Sequence, residues 1–428
     1  LIMNKYILSM FPYPSGSLHL GHIRNYSISN ALYKYELLKG NNAIHPLGFD
    51  AFGLPAENAA KKYNILAEDW TKQNIKEMTN QLESCKFTFS NTDHIFATTD
   101  PEYVERTQQL ISLLYKHNLL YKANKEVWWD DVDKTVLANE QVDKEGYSWR
   151  SGSKAQRRNI DSWFIRTTYV KDELIKGLDN LNWPKEIKTR QLNWLLKLED
   201  WCISRQRLWG CPFPEELQDK DSLTLDTFVD SSWYWKYVQD SPVDIYVGGS
   251  EHATGHLVYA RAIQHILYQF GYSSYKEPFR ELLCQGMILG KTYQNSKTGE
   301  YLSEKEYEYL EDKTNIVISY QKMSKSKFNG INPLDLLNQY SPEVLRLYIL
   351  FLCPLSQEIK WNTDSIKGII RFLNRVERNT GLPKLDLDDS KLSNFLSYMG
   401  KRQLHLAINE LIGLSKNYDV GYLVNIFI

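Results

Sequence analysis

The sequence predicts an α/β protein built on a parallel sheet that insertions divide, and three observations carry that expectation. A short apolar run, Tyr6 to Phe11, is followed by the breaker Pro12-Tyr-Pro-Ser-Gly16, a helical stretch and a second apolar run near Ala43 to Leu47. Strand, loop, helix, strand is how a parallel sheet opens, because parallel neighbours need a crossover between them. A second unit of the same kind starts at Val243-Asp-Ile-Tyr-Val247, ends at Gly248-Gly249 and runs into a helix from about Glu251. Finally, 428 residues with 43% hydrophobic content can bury a large core in two to four packed units.

Taken in order, the first helix should start after Ser17, a good N-cap, and stop at Gly40, a good C′ residue. Ile23, Ala31, Tyr35 and Leu38 fall within about 120° of arc at 100° per residue and should form its apolar face. Residues 68–120 read as mostly helical. Residues 123–195, rich in Trp and charge without clean periodicity, read as a peripheral insertion. Leu282 to Leu289 reads as one strand, 290–321 as a polar insertion, and the text from Pro342 onward as helical with a linker at Gly381-Leu-Pro383.

Charge and cysteine usage narrow the classes. Lys plus Arg number 51 against 52 Asp plus Glu, so whole-chain charge gives no support to a nucleic-acid partner, although a local basic surface can still hold phosphates. The five cysteines contain no C-x-x-C pair, which argues against a thiolate zinc site and points to a reducing, cytoplasmic setting. No apolar run approaches the roughly 20 residues of a membrane span, and the start lacks a signal-peptide pattern. Both ends read as cut: Leu1 opens the chain, and Tyr422-Leu-Val-Asn-Ile-Phe-Ile428 closes it without a helix stop signal.

Two motifs suggest phosphate chemistry. In Pro12-Tyr-Pro-Ser-Gly-Ser-Leu-His-Leu-Gly-His22, His19 and His22 stand three apart where a helix begins, so both imidazoles can share one face beside free N–H groups. Gly21 between them would let a base or sugar approach the backbone. Lys322-Met-Ser-Lys-Ser326 puts two lysines three apart on a loop before a helix, able to follow charge on a triphosphate. Each motif alone is weak, since helix-surface histidines and basic loops are common. Together, about 300 residues apart and flanking a split α/β sheet, they are strong.

This pair resembles the signature of class I aminoacyl-tRNA synthetases. The intervening words Met10-Phe-Pro-Tyr-Pro-Ser-Gly16, Gly48-Phe-Asp-Ala-Phe-Gly-Leu-Pro-Ala-Glu57, Thr135-Val-Leu-Ala-Asn-Glu-Gln141, Gly248-Gly-Ser-Glu-His-Ala253 and Leu283-Cys-Gln-Gly-Met-Ile-Leu289 are similar to the bacterial leucyl-tRNA synthetase family. Asp200-Trp-Cys-Ile-Ser-Arg-Gln-Arg-Leu-Trp-Gly210 is shared with the isoleucine and valine enzymes and does not discriminate. The resemblance implies a Rossmann-like catalytic domain (residues 1–122 and 196–290), a zinc-module-like insertion without zinc (123–195), a short insertion (291–321), the KMSKS loop with connecting helices (322–380), and the truncated start of a helical, anticodon-binding-type bundle (381–428). It implies a leucine–tRNA ligase, expected as a monomer, using ATP with Mg²⁺ and acting on tRNA(Leu).

Residue roles follow from the same resemblance. His19, His22, Lys322 and Lys325 would be catalytic; Gly21, Gly248, Gly249, Glu251, Gln285 and Met287 would join them in binding ATP, Glu251 at the ribose and Gln285 with the Met287 backbone near the adenine. Asp50 would hold the leucine ammonium with the Phe11 carbonyl, although an Asp there could simply cap a helix. Met10, Tyr13, Phe228, Ser231, Tyr234, His252 and His256 would line the side-chain pocket. His252 and His256 also have the i, i+4 spacing of a metal pair, but without H-E-x-x-H order or an evident third ligand, so no metal site is expected. Within 123–195, Lys154-Ala-Gln-Arg-Arg158 is either a tRNA contact or a solvated face.

The sequence also departs from that family. Helical text at Arg190-Gln-Leu-Asn-Trp194 runs through Leu195-Leu-Lys-Leu-Glu199 straight into Asp200-Trp201, where the family usually carries an editing domain. Asp and Ser replace the usual thiols at Trp129-Asp-Asp-Val-Asp-Lys134 and Gly146-Tyr-Ser-Trp-Arg-Ser151, a poor set for tetrahedral zinc. Loops after Pro214, around Asp240 and before Lys322 are short. Within other classes, the chain could be a catalytically silent relative that binds tRNA or a partner.

Overall fold

The computed structural model describes residues 3–91, 95–148, 151–219, 223–324 and 327–380. Gly381-Leu-Pro383, the helical bundle expected at 381–428, and Lys325 with Ser326 lie outside the described residues.

At the centre is a four-stranded parallel sheet in the order Phe279–Gln285, Val243–Gly249, Asn4–Ser9, Asn42–Ile44. The two units expected from sequence therefore meet edge to edge, with Ile7 beside Ile245 and Ser9 beside Val247. Both faces are covered, which is why Tyr6, Ile7, Leu8, Val243, Tyr246 and Val247 are all buried and the strands read as continuous apolar runs rather than alternating ones. Loops at the carboxyl ends of these strands are where such sheets place their ligands.

The first helix, Leu20–Leu38, differs from its expected form in two ways. Its N-cap is His19, not Ser17, whose hydroxyl instead donates to Glu77 at 2.6 Å. It also lacks a single apolar face: Ala31 is exposed while Arg24, Asn25, Ser27, Ser29 and Asn30 are buried. Some of these buried polar groups find partners inside, while Asn25 Oδ1 and Ser27 Oγ have none among the described residues. Ser29 and Ser9 share a 2.7 Å hydrogen bond, and Asn30 donates to the Thr88 carbonyl at 2.7 Å. Gly40, with φ +78°, ends the helix as expected.

Two further elements shift. The helix expected from Glu251 begins as a 3-10 turn, Ser250–Thr254, and becomes α-helical only at His256–Gln269, after Gly255. The single strand expected at Leu282 to Leu289 is two, Phe279–Gln285 and Ile288–Asn295, broken at Gly286-Met287. The second of these pairs with Ile316–Lys322 in an antiparallel sheet that delivers the chain to the lysine motif.

Residues 120–202 form a separate antiparallel sheet in the order Thr135–Leu137, Leu120–Asp130, Gln156–Ile165, Trp201–Cys202. Helices Lys171–Gly177 and Lys185–Leu195 lie in sequence between its strands Gln156–Ile165 and Trp201–Cys202 but share the main core, with Leu174, Ile187 and Leu195 packed among residues of the parallel sheet and the His256–Gln269 helix. No helix of the described residues is long and apolar enough to cross a membrane.

Candidate active site

The loop after strand Asn4–Ser9 and the first turn of the helix at Leu20 carry the paired histidines. The His19 backbone N–H donates to His22 Nδ1 at 3.2 Å, and the His22 N–H donates to His19 Nδ1 at 3.3 Å. The rings stack at 3.8 Å between centroids. Burial lowers the pKa of both rings, that of His22 furthest; the His19 field adds to the effect on His22, and the Lys322 charge adds to that on His19 against the opposing pull of the His19 backbone and Glu251. Each is therefore neutral near pH 7, and with Nδ1 accepting, its single proton sits on Nε2. Gly21 also serves the histidine pair itself. A Cβ there would lie 2.9 Å from the His19 ring, so its missing side chain makes room for that imidazole.

The end of strand Val243–Gly249 supplies the opposite wall. A Cβ on Gly248 would lie 2.1 Å from Met10 Sδ, and one on Gly249 would lie 2.1 Å from a Glu251 carboxylate oxygen. These glycines thus let Met10 and Glu251 fold over the strand end. Glu251 and Lys322 both act on the His19 and His252 rings, Glu251 favouring and Lys322 disfavouring their charged forms. His19, Glu251, His252 and Lys322, drawn from three distant parts of the chain, thus share one electrostatic neighbourhood. Lys322 is exposed at the end of its strand, and Gln285 ends the strand beside Val243–Gly249 with its Oε1 buried and without a hydrogen-bond partner among the described residues. Met287 is exposed beside it, its carbonyl accepting from the Ile359 N–H at 2.8 Å.

Behind this wall lies a buried aromatic cluster. Phe11 stacks on Tyr234 at 4.4 Å, and Phe228 packs against Gly255. Asp50 is buried, its N–H donating to the Pro12 carbonyl at 3.1 Å, and its charge is felt by Tyr234, Tyr246, Tyr103 and Asp230. His256 Nε2 lies 2.7 Å from the Tyr246 hydroxyl and 3.3 Å from that of Tyr234, and the two hydroxyls bond each other. Burial takes His256 down to about 3, so it is neutral. Ser231 is buried with its hydroxyl on the Phe228 carbonyl at 3.4 Å, and Tyr13 is half-buried in the loop ahead of the histidines. Tyr246, which reads simply as an apolar strand position, and Asp230 lie among these residues without a signal of their own in the sequence.

In the peripheral sheet no group of three His, Cys, Asp or Glu side chains suited to a metal occurs among the described residues. Asp130 occupies the junction, accepting from Ser151 at 2.6 Å, Ser153 at 3.1 Å and the Val132 and Asp133 amides. Burial raises its pKa, but the Ser151 and Ser148 hydroxyls and those amides outweigh burial and hold it below the usual carboxylate range.

The family described as tRNA synthetases class I (I, L, M and V) matches residues 3–230 and 316–362, which take in both motifs and more than half of the chain. The chain belongs to that family. It is an aminoacyl-tRNA ligase. This synthetase is 28% identical to a leucine–tRNA ligase of Prochlorococcus marinus over 631 residues, covering 87% of this chain and 74% of the relative. It is 27% identical to that of Synechococcus elongatus over 638 residues, covering 87% and 73%. Among solved structures, the LeuRS of Agrobacterium radiobacter in a ternary complex with tRNA and LeuAMS superposes with a TM-score of 0.81 at 23% identity, covering 99% of this chain and 79% of that one. A methionyl-tRNA synthetase of Mycobacterium tuberculosis bound by methionyl-adenylate gives 0.71 at 17%, covering 99% and 81%. At these identities the two structures speak to the synthetase fold alone.

Proposed function

We propose that this synthetase activates leucine with ATP and transfers it to the 3′-terminal adenosine of tRNA(Leu). The observation that carries the reading is the convergence of His19, Glu251, His252 and Lys322 beside an aromatic cluster that contains the buried Asp50. The leucine carboxylate attacks the α-phosphorus in line, the bond to the β-phosphate breaks, and pyrophosphate leaves. No protein nucleophile is required. His19 and His22 would offer Nε2–H donors to the phosphates, Lys322 with Lys325 would follow charge onto the leaving group, and Mg²⁺ would accompany it. The 2′-hydroxyl of the terminal adenosine then attacks the adenylate carbonyl, losing its proton as AMP departs.

Glu251 suits the ribose, and the orphaned Gln285 Oε1 is an acceptor for the adenine amine. Asp50 supplies the opposite charge that a buried ammonium needs. Met10, Phe11, Tyr13, Phe228, Ser231, Tyr234, His252 and His256 would surround the leucine side chain. The leucine–tRNA ligase names of the relatives favour this substrate over isoleucine, valine or methionine. ATP–pyrophosphate exchange with a panel of amino acids tests it: leucine should lead, and a different leader would overturn the pocket assignment.

We propose further that no post-transfer editing occurs. Helix Lys185–Leu195 passes to strand Trp201–Cys202 in five residues. The alignment of 631 residues takes in 87% of a 428-residue chain, so it crosses long stretches of the relative without counterpart here. Hydrolysis of isoleucyl-tRNA(Leu) faster than in buffer would refute this.

A further inference from the structure

Arg24, two residues beyond His22, is 2% exposed and takes no part in the chemistry above. Its guanidinium donates to the carbonyls of Gly286 at 2.7 Å, Gln357 at 3.0 Å, Leu355 at 3.1 Å and Pro354 at 3.2 Å, and to Cys353 Sγ at 3.4 Å. Burying a guanidinium is costly unless its donors are satisfied, and here carbonyls from two separate segments satisfy them. One segment is the break at Gly286-Met287. The other, residues 353–357, follows the helix Pro342–Phe351.

The break does not support itself. The Gly286 N–H donates to the Leu355 carbonyl at 2.8 Å, and the Ile359 N–H donates to that of Met287 at 2.8 Å. Backbone packs on backbone so closely that a Cβ on Gly286 would lie 2.1 Å from the Gln357 oxygen. Gln285 and Met287 are therefore held from behind by residues 353–359. Arg24 fastens both segments to the helix that carries His19 and His22.

We propose that Arg24 is a positioning residue that fixes the adenine end of the nucleotide site relative to its phosphate end. The inference rests on the reading of Gln285 and Met287 as adenine neighbours. A neutral side chain would let the break drift from the paired histidines, loosening grip on the base while leaving the leucine pocket, built on Asp50, Phe228 and Tyr234, in place.

The test compares the unsubstituted chain with Arg24→Met and Arg24→Lys in leucine-dependent ATP–pyrophosphate exchange, using ATP and ITP, which carries an oxygen in place of the adenine amine. Arg24→Met should raise the KM for ATP about tenfold, as loss of a few charge-assisted hydrogen bonds implies. The KM for leucine should stay within about twofold, and the kcat/KM preference for ATP over ITP should shrink by a similar factor to the ATP effect. Arg24→Lys, which keeps the charge but not the fork, should fall between. That preference is a ratio, so a partly unfolded preparation does not alter it. An unchanged ATP KM and preference, or equal rises for ATP and leucine, would overturn the proposal. So would failure of both variants to give a folded melting transition, since Arg24 would then be a core residue only. Absence of leucine-dependent exchange in the unsubstituted chain would instead bring down the functional reading, and this inference with it.

Discussion

His19 and His22 cap each other: each backbone N–H donates to the other ring's Nδ1, at 3.2 and 3.3 Å, and the rings stack at 3.8 Å. The arrangement fixes the tautomer of both. Protonating either Nδ1 would destroy the acceptor that the partner's N–H needs, and burial lowers the pKa of both rings.

A pH profile follows from this. The rings act as neutral Nε2–H donors, so leucine-dependent exchange should not fall from imidazole deprotonation between pH 6.5 and 8. It should decline below that range, as protonation opens the mutual cap. Replacing either histidine by Ala should cost about 10²–10³ in kcat, the usual cost of removing one donor from a charge-stabilising pair. Activity that climbs steadily from pH 8 to pH 6 would mean that imidazolium does the work, and would sink this account.

Asn329 offers a second test. Its Oδ1 accepts from the Ser324 N–H at 2.8 Å, while its Nδ2 donates to Thr292 at 2.7 Å and to the Gln321 and Lys322 carbonyls at 3.3 and 3.4 Å. This buried amide closes the lysine loop onto the antiparallel sheet. Asn329→Ala should leave these groups unpaired, lower kcat for exchange by roughly tenfold or more, and leave leucine binding unchanged. Wild-type kcat in Asn329→Ala would show that the loop is held elsewhere.

The contrast between Asn329 and the histidines marks how far the sequence could be read. Spacing over a few residues made the paired imidazoles, the strand-end glycines and the parallel sheet visible. What stayed hidden depends on partners far along the chain. Arg24 meets acceptors 262 to 333 residues away. The first helix misled for the same reason. An apolar arc was sought where tertiary packing buries Ser29 and Asn30 on carbonyl and hydroxyl partners. The break at Gly286 was invisible because an apolar run looks alike whether one strand or two cross it.

Tyr246 gives the third prediction. Its hydroxyl bonds both His256 Nε2, at 2.7 Å, and the Tyr234 hydroxyl beneath the Phe11 stack. Tyr246→Phe removes one atom and leaves a buried ring nitrogen poorly satisfied, at a cost of about 1–3 kcal/mol shared between stability and pocket shape. The KM for leucine should rise by roughly five- to tenfold with that for ATP unchanged. An ATP effect of equal size would show that the pocket and the nucleotide site are not separable as described.

The fourth concerns stability and acid. Arg261 holds Glu277 through two hydrogen bonds, at 2.7 and 2.8 Å, and His265 adds a third at 2.9 Å; all three residues are wholly or largely buried. Burial would raise the Glu277 pKa, but the hydrogen bonds from Arg261 and His265 and the Arg261 charge outweigh it and bring it down to about 2. The same arginine reaches Gln191 and the Leu174 carbonyl, so the cluster ties helix His256–Gln269 to the helices that precede strand Trp201–Cys202. A carboxyl whose folded pKa lies below its unfolded one stabilises the fold above the unfolded value and ceases to do so as pH falls through the folded value. For a lowering from 4.5 to about 2, that stabilisation is roughly 3 kcal/mol, present at pH 6 and lost progressively between about pH 4.5 and 2. Urea melts at pH 6 and pH 4 should therefore show the unsubstituted chain losing part of its advantage over Glu277→Gln, with the gap narrowing further toward pH 3. A gap that stayed constant over this range would mean that Glu277 ionises alike in both states and that Arg261 is held by geometry alone.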